Sequence, residues 1–454
     1  MSFSPPQLLD ILNRHPDTSG YWIAYSGGLD SHVLLHAMAD LRPRLAPRRV
    51  QAVHVNHGLS PNAGAWARHC AAVCEGLGIE CTVVAVDAKP ARGDSPEAAA
   101  RHARYGALAG LLAPAETLLT AHHQGDQAET VLLQLLRGAG PHGLAAMPEQ
   151  APFAAGSHAR PLLAFGRAEL RAYAESEHLS WVEDESNADV ALDRNYLRRE
   201  VLARLRGRWP AVDRTLTRVA GHSREAAAML DEIAAQDLRA VATSHDGALS
   251  VARLGRLDGP RLRNAVRYWL RHRRLPLPTR EQLAEIEHRL LAAGRDRSPR
   301  VCWPGAEVRR YRDRLHAFAP LPDAPPGAVL DWDMAAPAEL PGGGTLYARA
   351  CPGAGVKAEL CYSAPVTVRY RRGGERCRPA GTQYTRTVKN LFQEQGIPPW
   401  MRARIPLVYI GERLAAIADY WVCHPFQTQP QEQGMVFHWR RPVFGPPNEG
   451  RERP

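Results

Sequence analysis

Apolar runs and polar breaks alternate regularly over the first third of the chain. Tyr21-Trp22-Ile23-Ala24-Tyr25 is short, aromatic and apolar and predicts a buried strand; His32-Val33-Leu34-Leu35-His36-Ala37-Met38 continues as a helix. Residues 50–55, 81–86 and 117–121 read as further strands, with helices near 62–77 and 96–112 between them and another carried on by 131–136. Ser95 before Pro96 and Glu97 supplies a cap and first turn for the helix near 96–112. Strands at this spacing with helical crossovers predict an α/β fold, a doubly wound parallel sheet that binds ligands at the carboxyl ends of its strands. From Arg198 to Ala293 the pattern turns helical and arginine-rich, broken at Gly259-Pro260 and Pro276-Leu277-Pro278. Strands at 301–303 and 315–318, a proline-rich linker at 320–327, and short strands around one helix near 386–396 complete the reading. The expected organisation is an α/β domain over 1–210, a mainly helical domain over 211–325 and a small α+β domain over 340–445.

Composition narrows the class. The 454 residues are 45% hydrophobic and 23% charged, as in a globular protein of several domains. The start, Met1-Ser2-Phe3-Ser4-Pro5-Pro6, lacks the parts of a signal peptide, and no apolar run is of membrane length. Cysteines at 70, 74, 81, 302, 351, 361, 377 and 423 form no Cys-x-x-Cys, so free thiols in a reducing cytoplasm are expected. Net charge is +10, and residues 366–454 carry fourteen Arg or Lys against seven Asp or Glu. Aromatic residues are interleaved there, a composition suited to RNA, although a solvated basic face over an aromatic core accounts for most of those rings.

Candidate chemistry begins at Ser26-Gly27-Gly28-Leu29-Asp30-Ser31, between the first strand and its helix. Two glycines let backbone N–H groups approach an anion, the helix N-terminus adds donors, and Ser26 and Ser31 offer hydroxyls. Asp30 can hold Mg²⁺. A Walker loop would need Gly-Lys-[Ser/Thr]; the chain has only three lysines, Lys89, Lys357 and Lys389. After the strand at 117–121 comes His122-His123-Gln124-Gly125-Asp126-Gln127-Ala128-Glu129-Thr130. Asp126 and Glu129 fall on one helical face, one turn beyond His122. Such acids are ordinary helix caps in isolation; beside a phosphate loop they can bind a cationic substrate and accept its proton.

The Ser-Gly-Gly-x-Asp-Ser loop resembles that of the N-type ATP pyrophosphatases, which cleave ATP to AMP and diphosphate and adenylate a substrate. Further segments are similar to the tRNA(Ile)-lysidine synthetase family in particular. They are His54-Val55-Asn56-His57-Gly58-Leu59-Ser60-Pro61, Glu97-Ala98-Ala99-Ala100-Arg101-x-x-Arg104-Tyr105, 122–130, Leu136-Arg137-Gly138, Arg160-Pro161-Leu162-Leu163, Asp184-x-Ser186-Asn187 and Arg194-Asn195-x-x-Arg198. Gly373-Gly374-Glu375-Arg376 and Leu391-Phe392-Gln393-Glu394 with Ile397-Pro398-Pro399-Trp400 resemble the family's carboxyl-terminal domain.

That resemblance implies a tRNA-modifying ligase. It implies adenylation of the C2 oxygen of the wobble cytidine in an isoleucine tRNA with a CAU anticodon, then displacement of AMP by the ε-amine of free L-lysine. Ser26, Gly27, Gly28, Leu29, Asp30 and Ser31 would hold ATP, with His54 near the adenine and Asp30 on Mg²⁺. His122, Asp126 and Glu129 would bind lysine, with Asp30 and Asp126 catalytic. Arg101, Arg104, Arg194, Arg198, Arg376 and Lys389 are candidates for tRNA or active-site contact, and a homodimer is kept among the candidate assemblies. Gly125 and Thr382 depart from the pattern, standing where a second acid and a basic residue are expected. The alternative is a tRNA thiolase on the same fold, which would need a reactive or cluster-binding cysteine pair near the loop.

Overall fold

The computed structural model describes residues 2–14, 17–58, 62–87, 89, 96–183, 191–243, 247–294, 297–321 and 327–442. Leu59, Ser60, Pro61, Ser95, Asp184, Ser186, Asn187 and most of the expected linker lie outside them, as does the side chain of Glu97. The chain divides into two compact units, Met1–Met229 and Leu230–Pro454.

The first unit is built on β1 (Gly20–Ala24), β2 (Arg49–Asn56), β3 (Glu80–Ala85), β4 (Glu116–Leu119), β5 (Gln150–Phe153) and β6 (Gly156–Ala159). Their order across the sheet is β3-β2-β1-β4-β6-β5. All neighbours are parallel except the β5–β6 hairpin. Helices α1 (Pro5–Leu12), α2 (Leu29–Leu45), α3 (Ala63–Gly76), α4 (Pro96–Leu111) and α5 (Gln124–Leu136) belong to the same unit. Apolar side chains of β1 and α2, among them Ile23, Val33, Leu34, Leu35 and Met38, are fully buried and join Leu8 of α1 in one core. That burial removes each from water at about 1.5–3 kcal/mol per large side chain. The chain steps outward from β1 to β3 and then returns to pair β4 with β1. The strand order therefore reverses at β1, and the crevice beyond the carboxyl ends of β1 and β4 is where such sheets hold ligands.

The expected strands and crossover helices are present within one or two residues. The β5–β6 hairpin was not legible as such, because Pro152 inside β5 argues against a strand. β5 is at the sheet edge, where a missing N–H costs nothing.

In the second unit, helices such as Gly259–His272 accompany a four-stranded sheet of Leu249–Ser250, Arg314–Phe318, Ala306–Tyr311 and Arg300–Trp303. Five strands from Val329–Asp331 to Trp421–Val422, and four more including Thr345–Pro352 and Gln433–Arg440, enclose the last core. The single helix expected near 386–396 is Val388–Glu394, and two shorter ones, Ala358–Ser363 and Pro399–Arg402, accompany it. Of the aromatics in the basic segment, Tyr370, Phe392, Phe437 and Trp439 are buried core, whereas Tyr384 is exposed.

The expectation of eight free thiols needs correction. Cys377 and Cys423 form a disulfide with Cα atoms 5.5 Å apart. Pairing of Pro379 with Cys423 brings the two segments together across 46 residues of sequence, so no local spacing announces it.

Candidate active site

Two segments meet at the reversal point. The first is the turn from β1 into α2. Gly27 has φ of +84°, a left-handed conformation that suits glycine, and a Cβ there would stand 3.0 Å from the Sγ of buried Cys70. Ser31 Oγ donates to the Gly28 carbonyl at 2.9 Å and shares a 3.0 Å hydrogen bond with Ser26 Oγ. Gly28 caps α2 without a side chain, so the first N–H groups of the helix face the turn. His54 on β2 is buried and donates through Nδ1 to the Tyr25 carbonyl at 3.0 Å. Burial lowers its pKa, with the Tyr25 hydrogen bond opposing.

The second segment is the rim after β4. His123 N-caps α5: its Nδ1 accepts from Gly125 N–H at 2.9 Å, while its own N–H donates to Asp126 Oδ2 at 3.0 Å. A backbone N–H can only donate, so the proton of a neutral His123 lies on Nε2. That nitrogen sits 3.7 Å from Asp30 Oδ2 and 3.6 Å from Asp126 Oδ2. His123 thus joins the phosphate-loop acid to the α5 acid. It was missed in the sequence beside His122, although a polar N-cap with Asp at N3 is a capping-box pattern.

Asp126 and Glu129 lie together on α5, as expected. Glu129 is 1% exposed and surrounded by arginine. Arg194 Nε donates to its Oε2 at 2.8 Å and Arg198 Nε to its Oε1 at 2.5 Å. Both guanidinium groups also reach Asp126 Oδ1, at 3.5 and 3.3 Å. Arg194 and Arg198 come from the helical turns Asp193–Tyr196 and Leu197–Val201, the latter a π-turn. Burial would raise the Asp126 carboxyl, but His123, Arg194 and the His123 N–H together hold it below the usual range. Asp30 goes the other way: burial raises it against the His123 and Arg167 charges. His122 hydrogen-bonds Thr120, and burial pushes its pKa down to about 4.

The remaining candidates separate. Arg101 and Arg104 are exposed on α4, and Arg101 lies over the Tyr105 ring at 5.0 Å. The charge of Arg101 acts on His122. Arg376 and Lys389 are exposed in the second unit, on the strand Arg376–Cys377 and the helix Val388–Glu394. Thr382 closes a turn, its hydroxyl donating to the Pro379 carbonyl at 2.8 Å. Cys70, Cys74 and Cys81 lie near one another behind the loop; burial raises Cys70 to about 12. No group of three or more His, Cys, Asp or Glu among the described residues is placed to hold a metal ion.

Family models match a PP-loop domain at 5–205, a TilS substrate binding domain at 249–316 and a TilS substrate C-terminal domain at 366–439. The tRNA(Ile)-lysidine synthase of Methylococcus capsulatus is 46% identical over 94% of this chain and 97% of its own length. That of Alkalilimnicola ehrlichii is 47% identical over 95% and 97%, and that of Coxiella burnetii 42% over 95% and 96%. Among solved structures, the U34-tRNA thiolase NcsA of Methanococcus maripaludis gives a TM-score of 0.42 at 17% identity, covering 48% of this chain and 76% of that one. Domain matches along the chain and identity of this extent give one conclusion: the chain belongs to the tRNA(Ile)-lysidine synthase family.

Proposed function

We infer that this chain is an ATP-dependent ligase that joins L-lysine to C2 of the wobble cytidine in CAU-anticodon isoleucine tRNA, through an adenylated tRNA. The observation that carries the reading is the meeting of residues 26–31 with Asp126, Glu129, Arg194 and Arg198 at one sheet crevice, linked by His123. The N–H groups of residues 26–31 and the start of α2, with the two serine hydroxyls, take the ATP phosphates. His54 borders the adenine side. Asp30 Oδ1 is a buried acceptor without a hydrogen-bond partner among the described residues, and burial raises its pKa, as suits a carboxylate that meets a cation. Mg²⁺ held there supplies charge neutralisation for the phosphates.

Lysine poses the harder problem. Its ε-ammonium has a pKa of about 10.4, so the free amine at pH 7 lies roughly 4–5 kcal/mol uphill. A carboxylate must both hold the ammonium and take its proton as attack proceeds. Asp126 fits that part, being less enclosed than Glu129 and placed beside Asp30 through His123. Glu129 accepts from arginine at 2.5–3.1 Å on both oxygens, against 3.3–3.5 Å for the arginines at Asp126, so its part in the lysine pocket is to anchor Arg194 and Arg198. The basic segment after residue 340 supplies tRNA contacts, Arg376 and Lys389 among them. The division into 1–210, 211–325 and 340–445 and a cytoplasmic location belong to this reading.

Incubation with ATP, Mg²⁺, labelled lysine and a CAU-anticodon tRNA transcript tests it; label in the tRNA with equimolar AMP is expected. ATP-dependent sulfur transfer without lysine incorporation would favour the thiolase. The cysteines behind the loop divide: burial pushes Cys70 up to about 12, whereas the hydrogen bond from Cys74 lowers Cys81.

A further inference from the structure

A buried line of side chains leads from the β5–β6 edge to His122, the one member of it that the family resemblance places beside the lysine. Thr120 follows β4, His158 lies on β6, and Arg160 follows β6; they are 7%, 3% and 8% exposed. Arg160 Nη2 is 3.1 Å from His158 Nδ1. His158 Nε2 is 2.8 Å from Thr120 Oγ1, which is 2.8 Å from His122 Nδ1.

Donor chemistry gives this line a direction. A guanidinium donates and never accepts, so His158 Nδ1 is the acceptor and carries no proton. The ring's proton is then on Nε2, and His158 donates to Thr120. The threonine hydroxyl has one proton, and His122 Nδ1 is its remaining partner among the described residues. His122 Nδ1 therefore accepts as well. Its proton is on Nε2, which has no hydrogen-bond partner among the described residues.

We propose that Arg160, His158 and Thr120 are positioning residues that hold His122 as a neutral imidazole protonated on Nε2, a donor to an oxygen of the bound substrate and not the acceptor of the lysine proton. The proposal rests on the functional reading above and sharpens it, because Asp126 is then left to take that proton. Charges around His122 agree with a neutral ring. Burial lowers its pKa to about 4, Asp126 opposes, and Arg160, Arg194 and Arg101 add to the lowering. His158 is lowered to about 3, by burial first and then by Arg160.

The test is two-bond ¹H–¹⁵N correlation on the full-length chain labelled with ¹⁵N-histidine, using His122→Gln and His158→Gln spectra for assignment. Both rings should show a bare Nδ1 and a protonated Nε2. Thr120→Val, nearly isosteric, should release the His122 tautomer and lower kcat for lysine transfer by about tenfold, the worth of one hydrogen bond. KM for ATP should stay unchanged, and Thr120→Ser should restore both tautomer and kcat. A proton on His122 Nδ1 in the wild type overturns the proposal even if Thr120→Val fails to fold. So does a folded Thr120→Val with wild-type ring nitrogens and kcat. Wild-type protein that makes neither AMP nor lysidine overturns the functional reading instead, and the nitrogen pattern distinguishes the two failures.

Discussion

Gly125 leaves room for the imidazole of His123: a Cβ at 125 would stand 2.8 Å from Cε1 and 3.1 Å from Nδ1 of that ring. The departure from the family pattern at this position is thus matched to the cap, since the bare backbone lets Gly125 N–H donate to His123. Gly125→Ala should push the ring off the helix end. The expected loss is about 1 kcal/mol of cap stability, with a larger fall in kcat as His123 leaves Asp30 and Asp126. Thermal unfolding and steady-state kinetics check this, and an unchanged Tm and kcat would refute the role given to Gly125.

Asp126→Asn and Glu129→Gln should both abolish lysine transfer but differ in stability. Asp126→Asn removes the proton acceptor, a loss of roughly 10²–10⁴ in rate, and a smaller share of stability, because a carboxyl held below its usual range stabilises the fold when ionised. Glu129→Gln leaves two guanidinium groups beside a neutral amide and should cost about 3 kcal/mol. Denaturant unfolding alongside the lysine assay separates the two; equal stability losses would contradict the anchoring part given to Glu129.

Asp30→Asn should stabilise the ligand-free protein while impairing ATP use. A carboxyl whose folded pKa is raised binds protons more tightly in the folded state, so its ionisation costs stability as pH rises. The advantage of Asn should be full above the raised folded pKa and should vanish as pH falls below the ordinary carboxyl value. Melting curves at several pH values read this directly. A variant less stable than wild type at neutral pH would show that Asp30 is not strained by burial.

Replacing Cys70, Cys74 and Cys81 together by Ala should leave lysine transfer largely intact, because all three pack behind the loop and none is needed as a nucleophile. Loss of activity in a folded triple variant would return the sulfur-transfer reading to the front.

Arg376→Gln and Lys389→Gln should weaken tRNA binding without altering ATP affinity. Each phosphate contact removed flattens the log–log salt dependence by about one unit. Filter binding over a range of salt concentrations gives the slope; two unchanged slopes would move the tRNA grip elsewhere on the basic surface.

Much of the first unit was legible because strand and helix periods differ and a glycine-rich turn between them has few structural excuses. Asp126 and Glu129 were readable as one face, and Arg194 and Arg198 as one turn apart. That the arginines face the acids was not readable, since nothing in either segment names its partner. His123 was hidden by its neighbour: which of two adjacent histidines turns toward Asp30 depends on the rim geometry after β4. The Cys377–Cys423 pair and the fate of the basic-segment aromatics depend on long-range sheet pairing, to which local pattern is blind. The β5–β6 hairpin, with Pro152 inside it, gave no strand signal because edge strands tolerate what central strands do not.

The reversal of strand order at β1 has a consequence for how such an enzyme can change its chemistry. On the proposed reading, nucleotide handling rests on the turn after β1 with His54 of β2, whereas the lysine pocket comes from the rim after β4 and two arginines near residue 196. Exchange of residues 121–130 and the matching arginines would give the scaffold a new nucleophile while its ATP half stayed as it is. On that reading the choice of nucleophile rests on one rim and the two arginines that face it.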